Sequence, residues 1–264
     1  MKILVNVAVF DTIENKRTSY TIATYKSLMK TVNFDTTEIV FIDNASCDKT
    51  KRFLKGIISD KVHVITNDSN LGTAEAVNIG IHNYAKEDTY CIKMDNDVTV
   101  VEYGWADEMV KCFEIEPSIG ILGLKRKDLP NQPSSKEYPT NIDFIPEHKL
   151  GEPWFKDRIM IEWCDDIIGT VHMISPKLFE KVGYLWQPSQ YGWDDCLMCL
   201  RSTLSGFRNA FYPLIEIEHI DTKPNPYWEY KRKITHLYWN KFEEAKDDFI
   251  SGKRPIYYNP FLKE

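Results

Sequence analysis

An alternation constrains this chain more than any other feature. Through its first 125 residues, short β-type apolar runs take turns with stretches whose apolar residues recur at helical spacing. ILVNVAV, starting at Ile3, reads as a strand, and Ile22, Tyr25, Leu28, Met29 and Val32 follow on one helical stripe. EIVFID, ending at Asp43, is rich in β-branched residues and does not alternate, as expected of a strand buried on both faces. Phe53, Leu54, Ile57 and Ile58 mark a second helix, capped by Ser46 or Asp48. VHVIT is a third strand, and Ala74, Val77, Ile81 and Tyr84 stripe the helix after it. YCIKM is a fourth, then Trp105, Met109 and Phe113, and IGILGL is a fifth. Strands alternating with single helices make βαβ units, so the class is α/β with a mostly parallel central sheet flanked by helices. Such sheets bind ligands beyond the carboxyl ends of their strands. Asp43, Asn70, Asp95 and Asp97 all fall there or in the loops that follow.

Between 125 and 157 the pattern breaks, with Pro130, Pro133, Pro139, Pro146 and Pro153 among polar residues, and a long loop is expected. IIGTVHMIS resumes as a strand. Ser175-Pro176 opens a helix and Gly183 closes it. DDCLMCLRSTLSG is a further helix, and NAFY and IEIEH are late strands. Past Lys223, Tyr230, Ile234, Tyr238, Phe242, Ala245 and Phe249 share one stripe of an amphipathic helix. That tail holds nine basic residues against six acidic ones, so it carries +3 while the remainder carries −9 of the net −6. Bulk attraction to nucleic acid is therefore not expected, although a local basic surface is. Six scattered cysteines read as reduced core thiols of a cytoplasmic protein, and Cys196-x-x-Cys199 as two small helix residues. The opening MKILVNVAVF has too short an apolar run for a leader and no cleavage site, and the chain contains no membrane-spanning run.

Five places carry candidate chemistry. Asp95 and Asp97 end a buried strand as two hard oxygen ligands one residue apart, which suits Mg²⁺ or Mn²⁺ with a phosphate completing the shell; capping of the next helix is the competing use. Asp43 can accept hydrogen bonds from a base or ribose, or can cap the following helix. Gly72 and Gly80, in NLGTAEAVNIGI, allow close backbone approach to a ligand or to a neighbouring element. Asp194 and Asp195 open a helix, where the dipole alone favours acids, but where one carboxylate can also serve as a general base. Arg201 can reach a phosphate or form an ordinary ion pair. His219 gains interest only beside a metal.

The order of these pieces resembles the inverting nucleotide-sugar glycosyltransferases of family 2, built on the GT-A fold. The stretches that carry it are DNASCDKT (43–50), NLGTAEAVNIG (70–80), DND (95–97), DDCLMCLR (194–201) and His219. The resemblance implies a GT-A domain over 1–222, with a nucleotide-sugar half to about 125 and an acceptor half from about 126, followed by a helical extension over 223–264. It implies nucleotide-sugar contacts from Asp43, Asn70, Gly72, Asn78 and Asp95. Asp97 and His219, with Asp95, would hold a divalent cation, Mn²⁺ or Mg²⁺, on the donor diphosphate. Asp195, with Asp194 as its rival, would deprotonate the acceptor. This chain departs from the family pattern at AVFDTIEN after the first strand, at Val77 before Asn78, and in its Asp-Asp pair followed by Leu197.

The expected donor is uridine-linked and the expected acceptor a glycan or lipid-linked glycan, reached from the cytoplasm or from the membrane surface. Phage relatives that glycosylate hydroxymethylated DNA bases offer an alternative, with a host-cytoplasm location. Lys125-Arg126-Lys127 and the aromatic, basic NPYWEYKRKITHLYW are the features that favour it. A nucleotide-binding relative without turnover is the non-enzyme alternative, opposed by the presence of both acidic pairs.

Overall fold

The computed structural model describes residues 2–129, 142–146, 158–221 and 226–262. Its strands are β1 (Lys2–Val9), β2 (Thr37–Asn44), β3 (Val62–Asn67), β4 (Thr89–Asp95), β5 (Val98–Thr99), β6 (Ile119–Arg126), β7 (Ile142–Pro146), β8 (Arg158–Cys164), β9 (Val171–Ile174) and β10 (Arg208–His219). Its helices are α1 (Thr18–Thr31), α2 (Asp48–Gly56), α3 (Thr73–Tyr84), α4 (Trp105–Ile115), α5 (Pro176–Val182), α6 (Asp194–Leu204), α7 (Pro226–Leu237) and α8 (Trp239–Ile250).

One mixed sheet runs β3-β2-β1-β4-β9-β6-β10-β8-β7, with β5 on β10. β1 to β4 are mutually parallel, as the βαβ pattern requires, and β6 runs parallel to β10. The antiparallel pairings come from β9, wedged between β4 and β6, and from β8, β7 and β5. In β1, alternate residues Ile3, Val5, Val7 and Val9 enter one core cluster while Leu4 enters another, so the strand is buried on both faces. Each such side chain contributes about 1.5–3 kcal/mol.

Several local expectations change. Strand β7 interrupts the expected loop after 125; the rest of that Pro-rich stretch, 130–141 and 147–157, lies outside the described residues, as does the expected boundary at 222–223. NAFY and IEIEH are one strand, β10, whose pairing with β6 shifts register between Tyr212 and Glu216. The strand at IIGTVHMIS starts only at Val171. The N-cap of α2 is Cys47, with no side-chain cap. The tail is two helices broken at Tyr238, and α8 alone seats Phe242, Ala245 and Phe249 against Leu197 of α6. Ser175 does cap α5, its hydroxyl accepting from the Leu178 amide, and Gly183 does close that helix.

Arg201 makes neither of the contacts expected of it. Fully buried, it donates to the carbonyls of Val182, Tyr184 (2.8 Å) and Ile256 (2.8 Å), binding α6 to the C-terminal segment. Burial lowers its pKa to about 10.

Candidate active site

The registers Ala8↔Asp95 and Val9↔Asp43 set the carboxyl ends of β4 and β2 on either side of the end of β1. A cleft therefore opens where the strand order turns. Its floor is tied by Asp11, fully buried, which accepts from Thr21 (2.8 Å), Thr50 (3.2 Å) and Asn96 (3.0 Å). Asp43 accepts from the Ser46 amide at 2.8 Å, while its other oxygen is buried without a hydrogen-bond partner among the described residues.

Asp97 lies just past β4 and is held to the far half of the chain by β5. The pairing of Val98 with His219 and the bond from the Ile220 amide to the Asp97 carbonyl (2.9 Å) bring the histidine in. His219 Nε2 then sits 3.2 Å from Asp97 Oδ2, and the Arg17 guanidinium binds that same oxygen. Arg17 also reaches Asp221 at 2.6 Å. Burial opposes ionisation of Asp97, but the bond to His219 and the charges of Arg17 and Lys231 prevail and hold its carboxyl well below the usual range. Asp95 differs: burial first, then the nearby Asp97, raises its pKa to about 6 against the pull of Lys93.

The second acidic pair faces this one. Asp194 pairs with Lys93 of β4 at 2.5 Å, both side chains buried. Asp195 accepts from the amides of Gly169 (2.7 Å) and Cys196 (2.9 Å) and forms no salt bridge with a described residue. Burial and then the neighbouring Asp194 raise its pKa. A Cβ on Gly169 would meet Lys93 Nζ at 2.5 Å and Asp195 Cβ at 3.0 Å, so only glycine lets this loop close over the pair. Beneath it His172 is fully buried and neutral, its pKa lowered to about 3 by burial and Lys93.

Two cavities serve these groups. A large one, about 560 Å³, has Asp95, Asp194, Asp195 and His219 in its wall, with Trp193 and Trp239 beside them. A small one, about 70 Å³, lies at the end of β1 against Asn44, Asn70, Asp97 and Tyr227. Helix α7 covers both, placing Lys231 in each wall.

Of the sequence-predicted residues, Asp95, Asp97, Asp194, Asp195 and His219 converge at this junction, and Asn70 lines the smaller cavity. Gly72 and Asn78 are used elsewhere. Gly72 has φ +94° and lies against the Gln190 backbone, while the Asn78 amide exchanges two hydrogen bonds with Leu185 (2.8 and 2.9 Å). Asp43 lines neither cavity, although its neighbour Asn44 does. Arg17, Lys93, Tyr191, Tyr227 and Lys231 belong to the site without having been singled out individually. The local signals were a charge inside an apolar strand for Lys93, a basic residue opening a helix for Arg17, and the aromatic, basic stretch that holds Tyr227 and Lys231. The basic run at the end of β6 is engaged: Lys125 with Glu162, Arg126 with Asp128, and Lys127 with Glu218. Among the described residues no helix is long and apolar enough to cross a membrane.

Residues 15–182 match the sequence model of the family described as Glycosyl transferase family 2. The chain belongs to glycosyl transferase family 2. The matched stretch contains Asp43, Asp95 and Asp97, with Asp194, Asp195 and His219 beyond it. No curated protein matches the chain. Among solved structures, it is similar to the mannosyltransferase PcManGT from Pyrobaculum calidifontis, in complex with GDP-Man and Mn²⁺. That match has 17% identity and a TM-score of 0.65 over 88% of this chain and 60% of the other. GalNAc-T7 with UDP, GalNAc and Mn²⁺ matches at 16% identity and TM-score 0.63, over 92% of this chain and 49% of the other. S. aureus TarS residues 1–349 with UDP matches at 15% identity and TM-score 0.56, over 80% and 57%. These likenesses show the fold, and the chain spans about half to three fifths of each of these proteins.

No three His, Cys, Asp or Glu side chains gather closely enough to hold a metal alone, among the described residues. Asp97 and His219 still fit a cation delivered with a phosphate ligand: they touch, and Asp97 Oδ1 is buried without a hydrogen-bond partner.

Proposed function

We propose that the protein is a cation-dependent, inverting transferase moving a sugar from a nucleoside-diphosphate sugar, expected to be uridine-linked, to an acceptor hydroxyl of a glycan or lipid-linked glycan. One observation carries this reading: the small cavity at the end of β1 meets the large cavity beside Asp95, and Asp195 lies in the large cavity's wall. The donor's diphosphate end reaches the first, whose volume of about 70 Å³ admits only part of a nucleotide, and the acceptor enters the second. Nucleotide-bound neighbours of the same fold support the donor class.

Asp195 is the base. Both acids border the large cavity, but Lys93 neutralises Asp194, whereas Asp195 has no salt bridge with a described residue and keeps a raised proton affinity. It takes the proton of the acceptor hydroxyl as that oxygen attacks the anomeric carbon opposite the departing diphosphate. Asn70 and Asn44 border the nucleotide. A divalent cation, Mn²⁺ or Mg²⁺, held by Asp97 and His219 with Asp95 nearby, would offset charge on the leaving diphosphate. The pairing of Lys125, Arg126 and Lys127 removes one of the two basic features that favoured a nucleic-acid acceptor.

The test is a calorimetric panel of UDP, GDP, CDP and ADP, each with and without Mn²⁺, on wild type and Asp97→Asn. One nucleotide is expected to bind in a Mn²⁺-dependent way that the variant loses. Absence of binding by all four would overturn the proposal.

A further inference from the structure

The two cavities share four lining residues: Thr73, Asp95, Tyr191 and Lys231. In a transfer between them, the bond that breaks lies at this junction, and so does the phosphate that leaves. Lys231 is the basic member of the four. Its ammonium stands 5.3 Å from the Tyr191 ring centroid and 4.7 Å from that of Tyr227, faced by Asp95, Asp97 and Asp221. Yet it forms no salt bridge with any described residue. The other buried cations here are committed, Arg17 to Asp97 and Asp221, and Lys93 to Asp194. Its charge is thus not taken up by a carboxylate of the described residues, and it borders both cavities, where an anion entering from either can meet it.

We propose that Lys231 is a donor-binding residue that pairs with the distal phosphate of the nucleoside diphosphate, so that α7 completes the donor site. This rests on the transferase reading above. As the sugar C1–O bond breaks, its electron pair leaves on the distal phosphate oxygen, beside the Lys231 ammonium. The acceptor oxygen bonds to C1 and its proton passes to Asp195. The contact grows stronger as the leaving oxygen gains charge, so Lys231 contributes to turnover as well as to binding.

The experiment compares wild type, Lys231→Met and Lys231→Arg. Methionine keeps an unbranched stem against the tyrosine rings and removes the charge. The probes are UDP and GDP, with UMP and GMP as controls, titrated with Mn²⁺ present and again with EDTA. Loss of a charged hydrogen bond predicts diphosphate binding weakened about ten- to a hundredfold in Lys231→Met, much smaller losses for the monophosphates, and recovery in Lys231→Arg. Equal or tighter diphosphate binding by Lys231→Met would overturn the assignment and make Lys231 a plug in an empty cleft. An equal loss for mono- and diphosphates would also overturn it, leaving Lys231 a support for α7. So would unchanged nucleotide binding with a loss confined to a phosphate-bearing acceptor. If wild type binds no nucleotide, the transferase reading falls and takes this inference with it; normal wild-type binding with an unaffected Met variant removes this inference alone.

Discussion

Asp95 ends β4 with Asp97 just past it, Asp194 and Asp195 open α6, and Asp95 meets the second pair in the wall of the large cavity. They are built alike. In each, one carboxylate is held by a basic side chain, Asp97 by Arg17 and Asp194 by Lys93, while the other has a raised pKa. They differ in what does the holding. Lys93 rises from the middle of β4 and contacts Asp194 deep under Gly169, a lock that no ligand needs to open. Arg17 lies in the turn before α1, divides its charge between Asp97 and Asp221, and shares Asp97 with His219. On the proposed reading, a divalent cation held by Asp97 and His219 would compete with Arg17 for Asp97. An acidic pair in a sequence is therefore not two equal acids; the cation beside each decides which holds and which reacts.

The largest expected effect separates Asp195 from Asp194. Asp195→Asn should lower kcat by about 10²- to 10⁴-fold, the usual range for removing a general base, with nucleotide affinity unchanged by calorimetry. Asp194→Asn should retain more turnover than Asp195→Asn, and the reverse ranking would transfer the base role. The next effect falls on stability. Lys93→Met leaves Asp194 buried and uncompensated, which costs about 3–5 kcal/mol and lowers Tm on the order of 10 °C in a thermal melt. Adding Asp194→Asn to that variant should recover much of the loss, because the second change removes the stranded charge. Additive losses would mean that the two side chains are not a pair.

The comparison also shows what the sequence could and could not reveal. β1 to β4 and α1 to α4 were readable because apolar runs and helical stripes are local patterns, and the acids at the strand ends followed from the sheet rule. The cations were not readable as partners. Arg17 is 204 residues from Asp221, and Lys93 is 101 from Asp194, separations at which no periodicity operates. The antiparallel insertion of β9 between β4 and β6 was equally invisible, since VHMI is buried on every residue and reads the same in either direction. NLGTAEAVNIG allowed close approach to a ligand or to a neighbouring element; Gly72 lies against the Gln190 backbone, Asn78 hydrogen-bonds the Leu185 backbone, and Asn70 lines the smaller cavity. The helix break at Tyr238 occurs inside an unbroken apolar stripe, because packing of α8 on α6 overrides the continuous pattern.

The central claim is a single displacement, with the nucleotide on one side of the junction and Asp195 on the other. Proton NMR of the sugar first released when the enzyme hydrolyses an α-linked nucleoside-diphosphate sugar tests it most directly. With water replacing the acceptor, the account predicts the β-anomer at early times, before mutarotation. An α-anomer would contradict it, because retention requires a second displacement or a front-side attack that this placement of Asp195 does not provide.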